Sequence, residues 1–350
     1  MKKILIPFFS AGYGHHSFAR SISHYLEKNS NYIDIRLFDP GNDLKKQKLN
    51  DFYVDSWKSF LKMPSKVSQF LYDIDRAVPE IMSFIQKRYL TPAIPAAVNF
   101  LTGYKPDLIM STHWGCTQLF DLARKEMNED IPLFYVYTEL GGAFKLIRCG
   151  ADKYFCLSEE AHSALNSVGI VDDKIVDINL VIQPHLLSNL LEKREARTKL
   201  KIQEDMLTVL YSNGGEGIGP IMEFINEFYR SVQNAQMLIL TGKNEKLYSM
   251  IHSSIDDKRI IPFGFLDDTS PIFSAADLLS GKCGTSFTME SIKIKRPLAV
   301  TNLGAPNEAD NLHYVLNHNF GWYTPNPIQY SRLLNTIIEN KNSFLEVQKA

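Results

Sequence analysis

Short apolar runs alternate along the chain with stretches of helical periodicity. Strands that are buried on both faces and separated by helices give this pattern, which is typical of parallel α/β sheets. The runs form two series, at residues 4–9, 33–38, 108–111, 133–137 and 154–157, then at 207–212, 237–240, 260–263, 278–280 and 298–301. The pattern predicts an α/β fold with two doubly wound domains, 1–184 and 185–330, followed by a C-terminal helix, 331–350.

The alternation breaks between residues 45 and 100, where amphipathic helical stretches replace the strands. Lysines and aromatic residues interleave in the first part of this insert, namely Lys45, Lys46, Lys48, Phe52, Tyr53, Trp57, Lys58, Phe60, Lys62 and Lys66. A basic amphipathic insert with aromatic residues is typical of a membrane-surface site. The alternative is a helix pair whose aromatic residues belong to the domain core and whose lysines are solvated.

Composition narrows the class of protein. The 350 residues are 45% hydrophobic and 22% charged, as in ordinary globular chains, and the net charge of -1 gives no basis for a nucleic-acid partner. Four cysteines lie far apart without metal-ligand spacing, so the sequence predicts buried thiols and no metal site. The first apolar run is too short for a signal peptide and no 18-residue apolar stretch follows, which predicts a cytoplasmic chain without a spanning helix.

A glycine turn containing Gly14 and His15 joins the first predicted strand to the first predicted helix. Turns of this kind direct backbone N–H groups at an anion. His15 can accept a proton there or place a charged donor on a phosphate. The alternative is a plain strand–helix turn with a surface histidine.

Three further turns follow strands of the second series. Residues 213–220 hold four glycines, which allow a backbone to approach a ligand closely. Glu290 lies in the helix after the glycine turn 280–286, where it can accept hydrogen bonds from a ribose diol or simply favour the helix N-terminus. The polar turn 305–311 suits sugar hydroxyls or an ordinary helix cap. The candidate residues in these turns are Gly214, Gly215, Glu216, Lys282, Gly284, Thr285, Glu290, Glu308, Asp310 and Asn311.

Polar residues also end two strands of the first series. His113 follows the run at 108–111, and Glu139 follows the run at 133–137. Ligands of open α/β sheets bind at the carboxyl ends of the strands. We therefore expect His15, His113 and Glu139 to converge at one edge of the sheet.

Six motifs in this order carry a resemblance to a known family: GYGHH, KPDLIMSTH, YTELGG, SNGGEGIGP, GKCGTSFTMES and APNEADN. The chain resembles the monogalactosyldiacylglycerol synthases and bacterial diacylglycerol glucosyltransferases of glycosyltransferase family 28, which also holds the peptidoglycan N-acetylglucosaminyltransferase. The resemblance implies a GT-B fold, with two Rossmann-like domains facing across a cleft. It also implies an inverting hexosyltransferase whose C-terminal domain binds a UDP-sugar and whose N-terminal domain binds the acceptor.

The resemblance also implies roles for single residues. His15 matches the family's loop histidine, a candidate for acceptor activation or diphosphate contact, and His113 and Glu139 match its other polar strand ends. On the donor side, the family's phosphate loop is matched by Gly214, Gly215 and Glu216. The stretch whose backbone contacts uracil is matched by Phe263, Gly264 and Phe265. The ribose-binding glutamate is matched by Glu290, and sugar-contacting positions are matched by Glu308 and Asn311.

Inverting transfer needs a base near the acceptor hydroxyl and stabilisation of the leaving UDP. Glycine-loop amides and helix N-termini can stabilise a diphosphate, so no cofactor or metal ion is expected. His15 and Glu139 are alternative bases. The expected acceptor is a lipid such as diacylglycerol on the anionic inner face of a membrane, with the protein bound peripherally. A soluble or cell-wall precursor acceptor, or a UDP-sugar 2-epimerase of the same fold, is the alternative.

Overall fold

The computed structural model describes residues 1–10, 14–55, 79–143 and 147–340, with the single positions 59, 63, 67, 70, 73 and 344. The chain divides into two compact units. The first comprises Met1–Val181 and Ala305–Asp310, and the second comprises Ile182–Gly304 and Asn311–Ala350. The sequence predicts this boundary three residues later, after position 184.

A six-stranded parallel sheet forms the centre of the first unit. Its strands are β1 (Lys2–Pro7), β2 (Ile33–Phe38), β3 (Leu108–Ser111), β4 (Leu133–Val136), β5 (Lys153–Cys156) and β6 (Ile175–Asp177). They lie in the order β2-β1-β3-β4-β5-β6. The winding reverses between β1 and β3, and ligands of open α/β sheets bind beyond the carboxyl ends of strands at such a point.

Helices connect these strands. They are α1 (Gly14–Asn29), α2 (Pro40–Asp43), α3 (Gln47–Asn50), α4 (Pro79–Leu90), α5 (Ile94–Tyr104), α6 (Trp114–Glu126) and α7 (Glu159–Ser167), with a π-helix at Asp51–Asp55 and 3-10 turns at Thr91–Ala93 and Asp172–Lys174. Both faces of the sheet are covered, because Leu5 packs into one buried cluster and Ile4 and Ile6 pack into another. This double burial explains the unbroken apolar run of β1.

Part of the segment between residues 45 and 100 belongs to the core of the first unit. Tyr53 is buried and stacks on Phe9 with ring centroids 4.2 Å apart. Phe52 stacks on Tyr89 with centroids 4.3 Å apart. Their aromatic surface is used within the fold, so the membrane-surface interpretation is wrong for Phe52 and Tyr53.

Other apolar side chains of the same segment are exposed. Phe70 and Phe84 are 64% and 72% exposed, and Met63 and Val67 are also solvent-facing. The prediction of a basic membrane-binding surface therefore stands for the remainder of the insert. The predicted residues Trp57, Lys58, Phe60, Lys62 and Lys66 lie outside the described residues.

The second unit contains another six-stranded parallel sheet. Its strands are β7 (Leu207–Ser212), β8 (Ala235–Leu240), β9 (Ile260–Phe263), β10 (Leu278–Lys282), β11 (Leu298–Asn302) and β12 (Gly321–Tyr323). Their order, β12-β11-β10-β7-β8-β9, is that of a Rossmann sheet, and its winding reverses between β7 and β10. The glycine loop 213–220 follows β7. The predicted turn 280–286 is shorter in the structure, because residues 280–282 belong to β10 and the next helix begins at Thr285.

Helices also cover the second sheet. They are α8 (Pro184–Ser188), α9 (Lys193–Leu200), α10 (Ile221–Ser231), α11 (Glu245–Ser254), α12 (Ser270–Ala275), α13 (Thr285–Lys293), α14 (Glu308–Asn317) and α15 (Pro327–Glu339). Phe224 and Phe228 of α10 pack with Val209 and Tyr211 of β7 on one side of the sheet. No helix in the described part of the chain is both long enough and apolar enough to cross a bilayer.

Candidate active site

His15 stands in the first turn of α1, and its Nδ1 lies 2.7 Å from the carbonyl oxygen of Thr112. A carbonyl oxygen can only accept a hydrogen bond, so Nδ1 carries the proton and Nε2 keeps its lone pair. Burial lowers the pKa of His15 to about 4, although the hydrogen bond to Thr112 opposes this shift. Near neutral pH, His15 is therefore an uncharged ring with a hydrogen-bond acceptor at Nε2.

His113 occupies the N-cap position of α6, just beyond the carboxyl end of β3. Its Nδ1 accepts a hydrogen bond from the backbone N–H of Gly115 at 3.0 Å. That bond uses the Nδ1 lone pair, so neutral His113 carries its proton on Nε2. Burial first, and then the neighbouring His15, hold the pKa of His113 well below its usual range. The two histidines therefore have opposite tautomers.

The two rings meet where the winding of the first sheet reverses. Their centroids are 4.7 Å apart and their planes are inclined by 71°. Thr112 holds His15 a second time, because its hydroxyl donates to the His15 carbonyl oxygen at 3.0 Å. The hydroxyl oxygen of Thr138, which follows β4, lies 3.4 Å from His15 Nδ1. Nε2 of His15 has no hydrogen-bond partner among the described residues. A ring held at one nitrogen, with a lone pair available at the other, has the arrangement of a general base.

Glu139 follows Thr138 and is half-buried. Its Oε1 accepts a hydrogen bond from Nδ2 of Asn307 at 3.3 Å, and Asn307 lies in the segment that groups with the first unit. The structure thus brings His15 and His113 into contact and places Glu139 at the end of the neighbouring strand. The catalytic roles of all three remain predictions.

The glycine loop 213–220 follows β7. Gly217 has a φ of +56°, and a Cβ at this position would lie 2.2 Å from the carbonyl oxygen of Thr241. Only glycine fits so close to a neighbouring backbone. This approach anchors the loop, whereas Gly214 and Glu216 are exposed and Gly215 is half-buried. The exposed backbone of the loop is suited to an anionic ligand.

Lys282 adds a positive charge beside this loop. It ends β10, which pairs with β7, and its Cε lies 3.5 Å from the position that a Cβ on Gly214 would take. An ammonium group beside an exposed glycine turn suits a diphosphate. Beyond it, Gly284 is the N-cap residue of α13 and Thr285 is the first residue of that helix.

Asn311 holds the turn after β10 in place. Its side chain is fully buried, and Nδ2 donates to the carbonyl oxygen of Cys283 at 3.0 Å and to the hydroxyl of Thr285 at 3.1 Å. Nδ2 therefore helps to position the turn, and the predicted sugar contact at Asn311 remains a prediction.

Glu308 and Asp310 lie at the start of α14, and their predicted sugar contacts remain predictions. Glu308 is buried and Asp310 is half-buried. The Asp310 carboxylate lies against Gly142, where a Cβ would come within 1.8 Å of Oδ2. Gly142 is therefore required for this close approach.

Glu290 lies on α13 and is only 8% exposed. Burial raises the pKa of this carboxyl group to about 8. Among the described residues, none makes a hydrogen bond or ion pair with it. Burial of a carboxyl group without a partner is costly, and a ligand whose hydroxyls donate to Glu290 would offset that cost. A perturbed and unpartnered group of this kind marks a candidate binding residue.

The stretch predicted to read a base by its backbone follows β9. The Phe263 carbonyl oxygen already accepts two hydrogen bonds from Thr241, from its backbone N–H at 2.9 Å and its hydroxyl at 3.1 Å. Phe265 is exposed, with the ammonium of Lys243 5.7 Å from its ring centroid. The carbonyl at Phe263 is therefore committed to the fold, and the prediction rests on Gly264 and Phe265.

Sequence reasoning missed three residues that the structure places at these strand ends. Thr112 and Thr138 hold His15, and Asn213 begins the glycine loop. Asn213 is 3% exposed, and its Oδ1 and Nδ2 have no hydrogen-bond partner among the described residues. The position in the sequence was the available signal, because each residue is a polar side chain one or two positions after the end of a strand.

Comparisons with known proteins agree with the motifs. A family model described as "Monogalactosyldiacylglycerol (MGDG) synthase" matches residues 15–182. Monogalactosyldiacylglycerol synthase 2 of Arabidopsis thaliana is 26% identical over 257 residues, which are 70% of this chain and 55% of that relative. The chain is thus similar in sequence to the monogalactosyldiacylglycerol synthases. The spinach synthase is 27% identical over 263 residues, covering 71% of this chain and 49% of that relative. The chain thus spans about half the length of the curated synthases that it matches.

Solved structures with similar folds cover nearly the whole chain. The Staphylococcus aureus MnaA–UDP co-structure has a TM-score of 0.67 at 14% identity and covers 100% of this chain and 91% of that chain. Acinetobacter baumannii MurG has a TM-score of 0.60 at 12% identity, with coverage of 99% and 94%. The predicted GT-B fold class, with two Rossmann-like units, is therefore confirmed, as is the predicted resemblance to the synthase family.

Proposed function

We propose that this chain is an inverting glycosyltransferase that moves a hexose from a UDP-sugar to the hydroxyl of a lipid such as diacylglycerol. The observation that carries the proposal is the synthase family match over residues 15–182. That match begins at His15 and includes His113 and Glu139, the residues at the strand ends of the first sheet. The similar plant proteins are monogalactosyldiacylglycerol synthases. We propose that this chain also uses a diacylglycerol-type lipid as its acceptor.

The second unit supplies the donor site in this proposal. The diphosphate lies beside the glycine loop 213–220 and the ammonium of Lys282, where exposed backbone and positive charge are adjacent. The two ribose hydroxyls donate to Glu290, whose buried carboxyl group lacks a partner within the described fold. Such charged hydrogen bonds would lower the pKa of Glu290 and favour its ionised form.

The first unit supplies acceptor activation. The bare Nε2 of His15 removes the proton of the acceptor hydroxyl while the acceptor oxygen bonds to the anomeric carbon. The bond from that carbon to the UDP oxygen breaks with inversion, and UDP leaves with the electron pair. His113 offers its Nε2–H beside His15 as a hydrogen-bond donor. Glu139 is the alternative base.

The proposed reaction uses no metal ion or other cofactor. Loop amides, the N-terminus of α13 and Lys282 carry the charge of the leaving diphosphate. The chain contains one Asp-x-Asp triplet, Asp73-Ile74-Asp75, which lies far in sequence from both glycine turns. Activity that survives a chelator supports this part of the proposal, whereas its loss and recovery with Mg²⁺ or Mn²⁺ contradicts it.

The proposed location is the anionic inner face of a membrane, where the protein binds peripherally. The lysines of the insert are attracted to anionic lipid, and exposed apolar residues such as Phe70 and Phe84 add contact with the bilayer.

UDP release tests the proposed function directly. The chain is incubated with UDP-glucose, UDP-galactose or UDP-N-acetylglucosamine, with and without dioleoylglycerol in anionic vesicles. UDP release that requires the lipid, together with a glycolipid product of inverted anomeric configuration, is the expected result. Turnover only with soluble acceptors would favour the soluble-acceptor alternative. Conversion of the UDP-sugar to its 2-epimer without any acceptor would favour the epimerase.

A further inference from the structure

Three side chains of metal-binding types, a cysteine, a histidine and an aspartate, lie close together at the carboxyl edge of the first sheet. Cys156 ends β5, Asp177 ends β6 opposite it, and His162 lies on α7. Oδ1 of Asp177 lies 3.0 Å from the Cys156 Sγ and 2.8 Å from the His162 Nδ1. One thiol, one imidazole and one carboxylate oxygen thus lie within 4.8 Å of one another.

The second nitrogen of His162 is oriented by another carboxylate. Nε2 lies 3.1 Å from Oδ1 of Asp172, and this oxygen also accepts a hydrogen bond from Nδ2 of Asn166 at 2.8 Å. A carboxylate on the far nitrogen is the usual device that fixes the ring of a metal-binding histidine and raises its basicity. His162 is therefore held with Nδ1 directed at the thiol and the Asp177 carboxylate.

The thiol of the cluster is buried, and its other two side chains are open to solvent. Cys156 is fully buried, whereas the side chains of His162 and Asp177 are 26% and 67% exposed. An ion can thus enter from solvent past the carboxylate and reach the sulfur below.

We propose that Cys156, His162 and Asp177 bind a divalent transition-metal ion, for which Zn²⁺ is the best chemical match. Thiolate, imidazole and carboxylate are all Zn²⁺ ligands, with Zn–S of about 2.3 Å and Zn–N and Zn–O of about 2.0 Å. Tetrahedral angles with these bonds place sulfur and oxygen about 3.5 Å apart and nitrogen and oxygen about 3.3 Å apart. The two pairs that include Asp177 Oδ1 need to open by only about 0.5 Å each, and the sulfur and nitrogen already lie within 4.8 Å of each other. The fourth position is left to water.

Binding exchanges a proton for the ion. In the ion-free cluster the Cys156 thiol donates to Asp177, and on binding this proton goes to solvent while the sulfur bonds to the metal. The ion then joins β5, β6 and α7. Ser158, the N-cap of α7, donates to the carbonyl oxygen of Leu140 at 2.5 Å, so the joined edge adjoins the turn that carries Glu139. The ion has a structural role that is independent of the proposed glycosyl transfer.

Cobalt titration of the full chain tests the site without an activity assay. After treatment with a chelator, one equivalent of Co²⁺ should produce a sulfur-to-cobalt charge-transfer band in the near ultraviolet, which Zn²⁺ should then remove. Cys156→Ser should abolish the band. Asp172→Ala should weaken Co²⁺ binding about 10- to 100-fold, as expected for the loss of an orienting carboxylate. Cys149→Ser, at a buried thiol elsewhere in the first unit, is the matched control and should keep the band.

His162→Gln covers the case in which Cys156→Ser does not fold, because its side chain is partly exposed and replaceable. It should lose high-affinity binding while keeping the far-ultraviolet circular dichroism of the parent. If the parent chain shows no sulfur-to-cobalt charge-transfer band, the proposed site is wrong, even if Co²⁺ binds elsewhere on the chain. A band that persists in the folded variants at position 156 or 162 also overturns it.

Discussion

The rings of His15 and His113 meet edge to face, with centroids 4.7 Å apart, and they carry their protons on different nitrogens. The Thr112 carbonyl oxygen fixes the proton of His15 on Nδ1, and the Gly115 N–H leaves His113 its proton on Nε2. His113 is buried and His15 is half-buried, and a positive charge on either ring is opposed by desolvation and, for His113, by the other histidine. The pair therefore presents one bare acceptor and one N–H donor at neutral pH.

Replacing His15 tests its proposed role as the base. His15→Gln should reduce turnover by about 10²–10⁴, because it removes the group that accepts the acceptor's proton. UDP affinity should stay within about twofold of the parent value. Steady-state turnover and calorimetry with UDP measure the two quantities. His24→Gln, an exposed histidine on the same helix, is the matched control and should change neither.

A parallel loss of UDP affinity and turnover in His15→Gln would instead make His15 a diphosphate contact. Glu139 would then be the preferred base. Glu139→Gln distinguishes the two cases, because loss of a base lowers turnover with little change in UDP affinity.

The low pKa of His15 predicts a loss of stability in acid. Between pH 6.5 and about pH 4, the unfolded chain binds a proton at this ring that the folded chain does not. The free energy of unfolding therefore decreases as pH falls through this window, by up to about 3 kcal/mol for this group. Denaturant titrations at pH 7 and 4.5 should show a smaller decrease for His15→Gln than for the parent. Equal decreases would contradict the low pKa.

Glu290 predicts the opposite pH dependence. Its pKa of about 8 lies above the ordinary value of 4.5, so the unfolded chain ionises first and stability decreases as pH rises between these values. Glu290→Gln removes the buried acid and should raise the melting temperature of the ligand-free chain at pH 8. The same change should weaken UDP binding about tenfold, because charged hydrogen bonds are worth about 1.5–3 kcal/mol.

The surface substitution Glu245→Gln, in the first turn of α11, controls for the loss of a carboxylate in the second unit. It should leave both melting temperature and UDP affinity unchanged. A stabilised Glu290→Gln that binds UDP like the parent would remove Glu290 from the donor site.

Most strands were predictable from sequence, and the two strands of only three residues were not. β6 and β12 have three residues each and are partly exposed, so they leave no apolar run to detect. In helix α10, Phe224 and Phe228 recur on one face and pack on β7, which gives the periodicity expected of an amphipathic helix. Strand length therefore limited the prediction, since each strand of four or more residues corresponds to a predicted run.

The position of the candidate site in the fold was predictable from sequence, but the hydrogen bonds of its residues were not. Parallel topology places His15 and His113 at one edge, but only the folded chain shows that the Gly115 N–H uses Nδ1 of His113. The hydrophobic periodicity of the insert likewise does not show what its aromatic residues contact. Tyr53 could belong to an apolar helix face that contacts either a membrane or the protein core. It belongs to the core, because it stacks on Phe9, which is distant in sequence.

The glycine loop predicts a strict requirement at one position. Gly217→Ala should abolish detectable UDP binding, because its Cβ would lie 2.2 Å from a backbone oxygen at a φ of +56° and the loop must move. Calorimetry with UDP measures the effect. Gly103→Ala is the matched control, since it lies in α5 with open space around its Cβ. It should leave UDP affinity unchanged and stabilise the chain by up to about 1 kcal/mol. Normal UDP affinity in Gly217→Ala would exclude the loop from the donor site.

In the basic insert, Lys58, Lys62 and Lys66 lie among aromatic residues in the sequence. Each lysine near an anionic bilayer contributes about 1 kcal/mol, and salt screens this attraction. Replacing all three by glutamate should therefore greatly reduce co-sedimentation with anionic vesicles, while turnover on a short-chain soluble acceptor survives. The matched control makes the same change of charge in the second unit, at Lys199, Lys246 and Lys258, which are exposed. If both triple variants bind vesicles like the parent, the insert lysines are a solvated surface and the soluble-acceptor alternative becomes the better proposal.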